Sequence, residues 1–174
     1  MNTRLLFILA LVPAVAVGQA ATTAAPQAQQ AVEAATTEHR MVRASDIQWG
    51  PGPAPLPKGV QATVLYGDPG KPGPFAIRLK APPGYAIPRH WHPTDEQVTV
   101  LSGDFSVSMG EGDKAHSGDF GPGDHVSLPA KMQHAASTKN GAIVQVASHG
   151  PFQVTYVDPK DDPRNADAAS AKSP

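Results

Sequence analysis

The sequence predicts an all-β fold, a sandwich or barrel of antiparallel strands, on three observations. Sixteen glycines and nineteen prolines stand among 174 residues, so about one residue in five interrupts regular structure and long helices are disfavoured. Short apolar runs recur, each bounded by Gly, Pro, Asp or Asn, the punctuation of antiparallel strands. No helical period of apolar residues lies between them. With 40% hydrophobic and 17% charged residues, the chain suits one core of ordinary domain size rather than two.

Taken in order, the chain divides into four segments. Residues 1–20 have the three-part layout of a secretory signal peptide. A short cationic start ends at Arg4, an apolar stretch runs from Leu5 to Val17, and small residues offer cleavage after Ala16 or Ala20. The apolar stretch is short for a membrane span, so the expectation is export, with a periplasmic or secreted location; an uncleaved anchor is the alternative. Residues 21–48 form an expected tether, rich in Ala, Thr and Gln up to about Arg40, where Val32 is the one large apolar residue. Residues 49–158 form the expected domain, and residues 159–174 a polar, loosely held tail.

The domain opens on an irregular lead-in, Trp49 to Gly59, dense in Pro and Gly. Seven expected strands follow: Val60–Tyr66, Phe75–Leu79, Gln97–Leu101, Phe105–Met109, Val126–Leu128, Ile143–Ala147 and Phe152–Val157. The strings Gly73-Pro74-Phe75 and Gly150-Pro151-Phe152 both open a strand and read as turn chemistry. Gly110 to Asp119 reads as a hairpin loop of mixed charge.

Charge and cysteine content exclude whole classes of function. Fourteen Lys and Arg against fifteen Asp and Glu give a net charge of -1, or -2 if cleavage after Ala20 removes Arg4. No basic field exists to hold a phosphate backbone, so no nucleic-acid partner is expected. Without cysteine there are no disulfides, thiolate metal sites or cysteine nucleophiles, and any site must be built from His, carboxylates and hydroxyls.

The histidines carry the chemistry. His90 and His92 lie two apart between Pro88 and Pro93, in a stretch that must be extended, so both imidazoles point to one face. Glu96, four beyond His92, keeps strand parity if the intervening Pro93-Thr94-Asp95 step adds no residue, and its carboxylate can join the pair. Imidazoles with a carboxylate suit a divalent first-row metal. The downstream candidate for a fourth donor is His134, at an expected strand start after the turn that follows Val126–Leu128.

The stretch from Gly84 to Gly103 resembles the first motif of the cupin superfamily: Gly, five residues, His-x-His, three residues, Glu, six residues, Gly. Gly84, His90, His92, Glu96 and Gly103 match every fixed position. The second cupin motif is matched in part, by Gly123, Pro129 and His134, while Lys131 replaces its second Gly and Thr138 its Asn. Gly accepts positive φ and Lys does so at a cost, which places the tightness of that turn in question. The resemblance covers roughly residues 60–157. It implies a cupin-type double-stranded β-barrel, or jelly roll, with His90, His92, Glu96 and His134 as ligands to one divalent first-row transition metal: Mn, Fe, Ni, Co or Zn. The alternative for the same residues is a hydrogen-bonded polar lining in a barrel that has lost its metal.

The remaining polar groups point elsewhere. His125 falls at odd parity to Val126 and Leu128, which suits a surface or interface position. His116, Glu111, Asp113 and Asp119 match no calcium loop. His39 lies in the tether and His149 at a turn. Trp91, between two inward histidines, should face the opposite way. Tyr85, Gln97, Thr99, Gln145 and Tyr156 are candidates to stand behind the ligands, and no catalytic role is assigned to any of them.

Four protein donors on a metal that prefers six leave positions for water, O2 or a bidentate substrate. The resemblance therefore implies an exported metalloenzyme of dioxygenase, decarboxylase or isomerase type, acting on a small chelating organic substrate. A non-catalytic ligand-binding or sensing module is the alternative. The edges of an open barrel favour a homodimer.

Overall fold

Alternation of inward and outward side chains sets the architecture. Along Ala142–Gly150, residues Ala142, Val144, Val146 and Ser148 are buried, while Ile143, Gln145 and Ala147 are not. One face of such a strand must be covered by a second layer. The computed structural model describes residues 39–111 and 115–165. The chain divides after His39, and the elements below belong to the second unit, Arg40–Pro174. The expected signal peptide, nearly all of the expected tether before Arg40 and the tail beyond Asn165 lie outside the described residues.

Eleven strands are described: β1 Gly50–Pro51, β2 Gln61–Tyr66, β3 Gly73–Ala81, β4 Ala86–Trp91, β5 Glu96–Gly103, β6 Phe105–Met109, β7 His116–Phe120, β8 His125–Leu128, β9 His134–Ser137, β10 Ala142–Gly150 and β11 Thr155–Tyr156. One sheet has the order β1-β2-β3-β10-β5-β8 and the other β11-β4-β9-β6-β7. The described pairings are antiparallel. From β3 onward the chain crosses between the sheets at each step except the β6–β7 hairpin, which is the jelly-roll winding expected from the sequence. Phe75, Val100 and Val107 are fully enclosed between the layers, with Ile77, Leu79, Val98, Val144 and Val146 around them.

The expected strands are found with small shifts at their ends, and two readings change. Phe152–Val157 is not one strand; only Thr155–Tyr156 pairs, with β4. The Phe152 amide instead donates to the Pro69 carbonyl, and the Phe152 ring packs edge-on against Phe75 at 5.3 Å, so this stretch serves as a core plug. The expected Gly110–Asp119 loop contains most of a strand: Met109 pairs with His116 and Ser106 with Asp119. Strand β7 lies at a sheet edge and exposes His116, Ser117 and Asp119, so it lacks the apolar alternation that marks a half-buried strand.

The Pro-rich lead-in becomes a strap. After β1, Leu56 packs against the core, and the Tyr85 hydroxyl donates to the Pro57 carbonyl and the Tyr156 hydroxyl to the Pro55 carbonyl, each at 2.7 Å. Burial pushes both phenols upward, Tyr156 to about 12, so they remain protonated donors at neutral pH.

Candidate metal centre

The extended Pro88–Pro93 stretch supplies β4, and its pairing with β9 places His90 directly opposite His134. Opposed residues of an antiparallel pair share a face, and the two rings lie with centroids 4.2 Å apart. His92, just past the end of β4, brings its ring within 4.9 Å of His90 and 5.2 Å of His134. Phe152 stacks on His92 at 4.3 Å. Glu96, the first residue of β5, sets Oε2 at 3.3 Å from both His92 Nε2 and His134 Nε2. Strand parity is not what brings it there. Between His92 and Glu96 the chain passes to the facing sheet, so the carboxylate approaches the imidazoles from the opposite layer.

The hydrogen bonds of the rings select their tautomers. Nδ1 of His90 faces the Pro88 carbonyl at 2.7 Å, Nδ1 of His92 the Gln153 carbonyl at 2.7 Å, and Nδ1 of His134 the Met132 carbonyl at 3.0 Å. A carbonyl oxygen can only accept, so each Nδ1 carries the proton and each neutral ring turns an Nε2 lone pair inward. The three rings offer ligand atoms within 4.8 Å of one another. His92 Nε2 is buried without a hydrogen-bond partner. Three lone pairs and a carboxylate converging in a buried space repel one another unless a cation lies among them. The donor set therefore fits a metal of intermediate softness.

Electrostatics agree with this arrangement. Burial, with His134 and then His92 adding to it, lowers the His90 pKa to about 3, so the ring is neutral as ligation requires.

The turn carrying the variant second motif is settled by backbone geometry. Gly84, Gly103 and Gly123 have φ of 74°, 81° and 94°, and Lys131, the one non-Gly residue with positive φ among those described, has 64°. The Lys131 amide donates to the His92 carbonyl at 2.7 Å, so this strained turn anchors a site residue. Lys131→Gly is expected to stabilise the protein by about 1 kcal/mol, since the left-handed conformation costs an L-residue about that much. Urea unfolding checks it, and a lowered midpoint would count against the assignment. Thr138, in place of Asn, closes its own turn: its hydroxyl donates to Asp104 at 3.1 Å and accepts from the Gly141 amide at 3.0 Å.

Of the other candidates, Tyr156 lies beside the centre, its ring centroid 5.8 Å from that of His90, and none offers a ligand atom to the three-histidine group. His125 is exposed and bonds Thr99 and Gln97, each at 2.9 Å, on the outer face of the sheet. Gln145 accepts from Arg78. Tyr85 and Tyr156 are buried and engaged by the strap. His149, His116 and His39 are exposed, and Trp91 is half-buried. What sequence reasoning missed is the set of carbonyls, from Pro88, Met132 and Gln153, that orient the rings; carbonyls belong to every residue type and leave no signature.

Two cavities adjoin the cluster. A narrow one of 40 Å³ in the barrel interior touches His90, Glu96 and His134. A wider one of 220 Å³ lies between the strap and the sheets and touches His90, His92 and Glu96.

The family profile described as the ChrR cupin-like domain matches residues 37–153. No curated protein matches the chain significantly. Among solved structures, the polyketide cyclase RemF from Streptomyces resistomycificus superposes with a TM-score of 0.62 at 19% identity, over 75% of this chain and 94% of that one. The DMSP lyase DddQ from Ruegeria pomeroyi DSS-3 gives 0.53 at 24%, over 65% and 62%. KdgF from Halomonas sp. gives 0.51 at 20%, over 66% and 96%. At these identities the likeness is one of fold.

Proposed function

The chain belongs to the family of ChrR cupin-like domains, and from that premise we propose that it is an exported metalloprotein whose His90, His92, Glu96 and His134 hold one divalent first-row transition metal, Mn, Fe, Ni, Co or Zn. The observation that carries this reading is the convergence of three carbonyl-locked imidazoles and one carboxylate from two facing sheets. A bound metal of this kind supplies Lewis acidity and open positions for a chelating ligand. The chain's own residues keep the three Nε2 atoms deprotonated, and Phe152 and the strap limit access of water. The protein acts, on this reading, as an oxygenase, decarboxylase or isomerase on a small chelating organic substrate.

One observation favours the second reading, a non-catalytic ligand-binding or sensing module. Among the described residues, and apart from the four-residue cluster, no side chain bordering either cavity is a carboxylate, amine or imidazole, and the Tyr85 hydroxyl is committed to the strap, which leaves no evident general acid or base among them. The test is metal analysis of protein refolded without added metal and then titrated with each ion, followed by oxygen consumption and substrate loss across a panel of diketones, oxalate, flavonols and sugars. About one ion per chain is expected. Failure to retain any ion through dialysis would overturn the metal reading, and retention with ligand binding but no turnover would select the module.

A further inference from the structure

The 220 Å³ cavity beside the cluster has walls of unusual uniformity. Among the described residues, outside His90, His92 and Glu96, it is bordered only by Pro, Leu, Ala, Val, Ile, Phe and Gly, so none of those side chains offers a hydrogen bond or a charge. Backbone donors on the strap side are scarce too. Pro53, Pro55 and Pro69 have no amide hydrogen, the Gly70 amide is bonded to Asp68 and the Phe152 amide to Pro69. A multiply charged or polyhydroxylated ligand placed there would lose its hydration without replacement.

The charge of the site points the same way. A divalent ion held by Glu96 and three neutral imidazoles leaves a net charge of about +1 in a buried, apolar surrounding, which one negative charge on a ligand head neutralises and two overshoot. Resting on the metal reading above, we propose that the site takes a small molecule with a singly charged, metal-binding head and an uncharged apolar body, the body lying beneath the strap against Leu56, Val64, Ile77, Phe152 and Val154.

The probe is a series of straight-chain alkyl hydroxamates, from acetohydroxamate to octanohydroxamate, in which the chelating head is constant and the tail grows. Oxalate serves as the compact, doubly charged control. Titration calorimetry on the nickel-loaded full chain reads the affinities, and the nickel content of each sample is measured alongside. Each added methylene is expected to tighten binding about fourfold over the first few carbons, as burial of a CH₂ in an apolar pocket does, and oxalate is expected to bind more weakly than the longer hydroxamates. Val64 is 40% exposed at the rim of this cavity, so Val64→Lys should fold. It is expected to flatten the chain-length dependence and to raise oxalate affinity. Nickel bound at about one per chain with no chain-length dependence, or with oxalate the tightest ligand, overturns the proposal alone. A chain that retains no nickel overturns it together with the metal reading.

Discussion

Glu96→Gln is expected to abolish metal-dependent stabilisation while leaving the metal-free fold no less stable. In the wild type, an ion at about a hundred times its dissociation constant adds about 2.7 kcal/mol, which for a domain of this size raises the melting temperature by roughly 10 °C. The carboxylate is the one negative charge in the cluster, and its Oε2 stands 3.3 Å from both His92 Nε2 and His134 Nε2. An amide of the same shape keeps the packing, removes the charge that holds a dication in a buried place, and can donate to the inward lone pairs. Metal affinity is expected to fall by more than about 100-fold, beyond what loss of a group supporting the ligands costs. Thermal melts with and without each ion, paired with metal analysis, read both halves. A variant that gains the same shift as the wild type would remove Glu96 from the ligand set.

Acid is expected to destabilise the metal-free protein from about pH 6.5 downward. His90 has a pKa near 3 in the fold and about 6.5 in the unfolded chain. Between those values the unfolded state binds a proton that the folded state refuses. Stability is therefore full above about pH 6.5 and falls as pH drops toward 3, by at most about 1.4 kcal/mol per pH unit from this residue. Metal retention should decline over the His range as well, since protons compete for Nε2. Urea midpoints measured from pH 8 to 4 in a chelator, with His90→Asn as comparison, check the sign. A midpoint unchanged between pH 7 and 5 would contradict the neutral, buried imidazole.

Strand β6, Phe105–Met109, falls where its apolar alternation predicts, and Gly84, Gly103 and Gly123 occupy turns that need positive φ. A side chain at Gly103 would collide with the Gly141 carbonyl, a constraint a motif position already announces. Strand β7 escaped because neither of its faces is apolar. The pairing of His92 with Phe152, sixty residues on, escaped because stacking partners so distant leave no period in the chain.

The sequence by itself determined that this is an all-β cupin with His90, His92, Glu96 and His134 as its chemically distinctive residues, because breaker punctuation, residue type and short spacing are local properties. Only the tertiary structure decided that His90 faces His134 across β4 and β9, that Glu96 reaches over from the other sheet, that three carbonyls turn every Nε2 inward, and that an apolar cavity under the strap adjoins them. Those outcomes depend on register between strands far apart in the chain, where a shift of one residue would send each side chain to the opposite face.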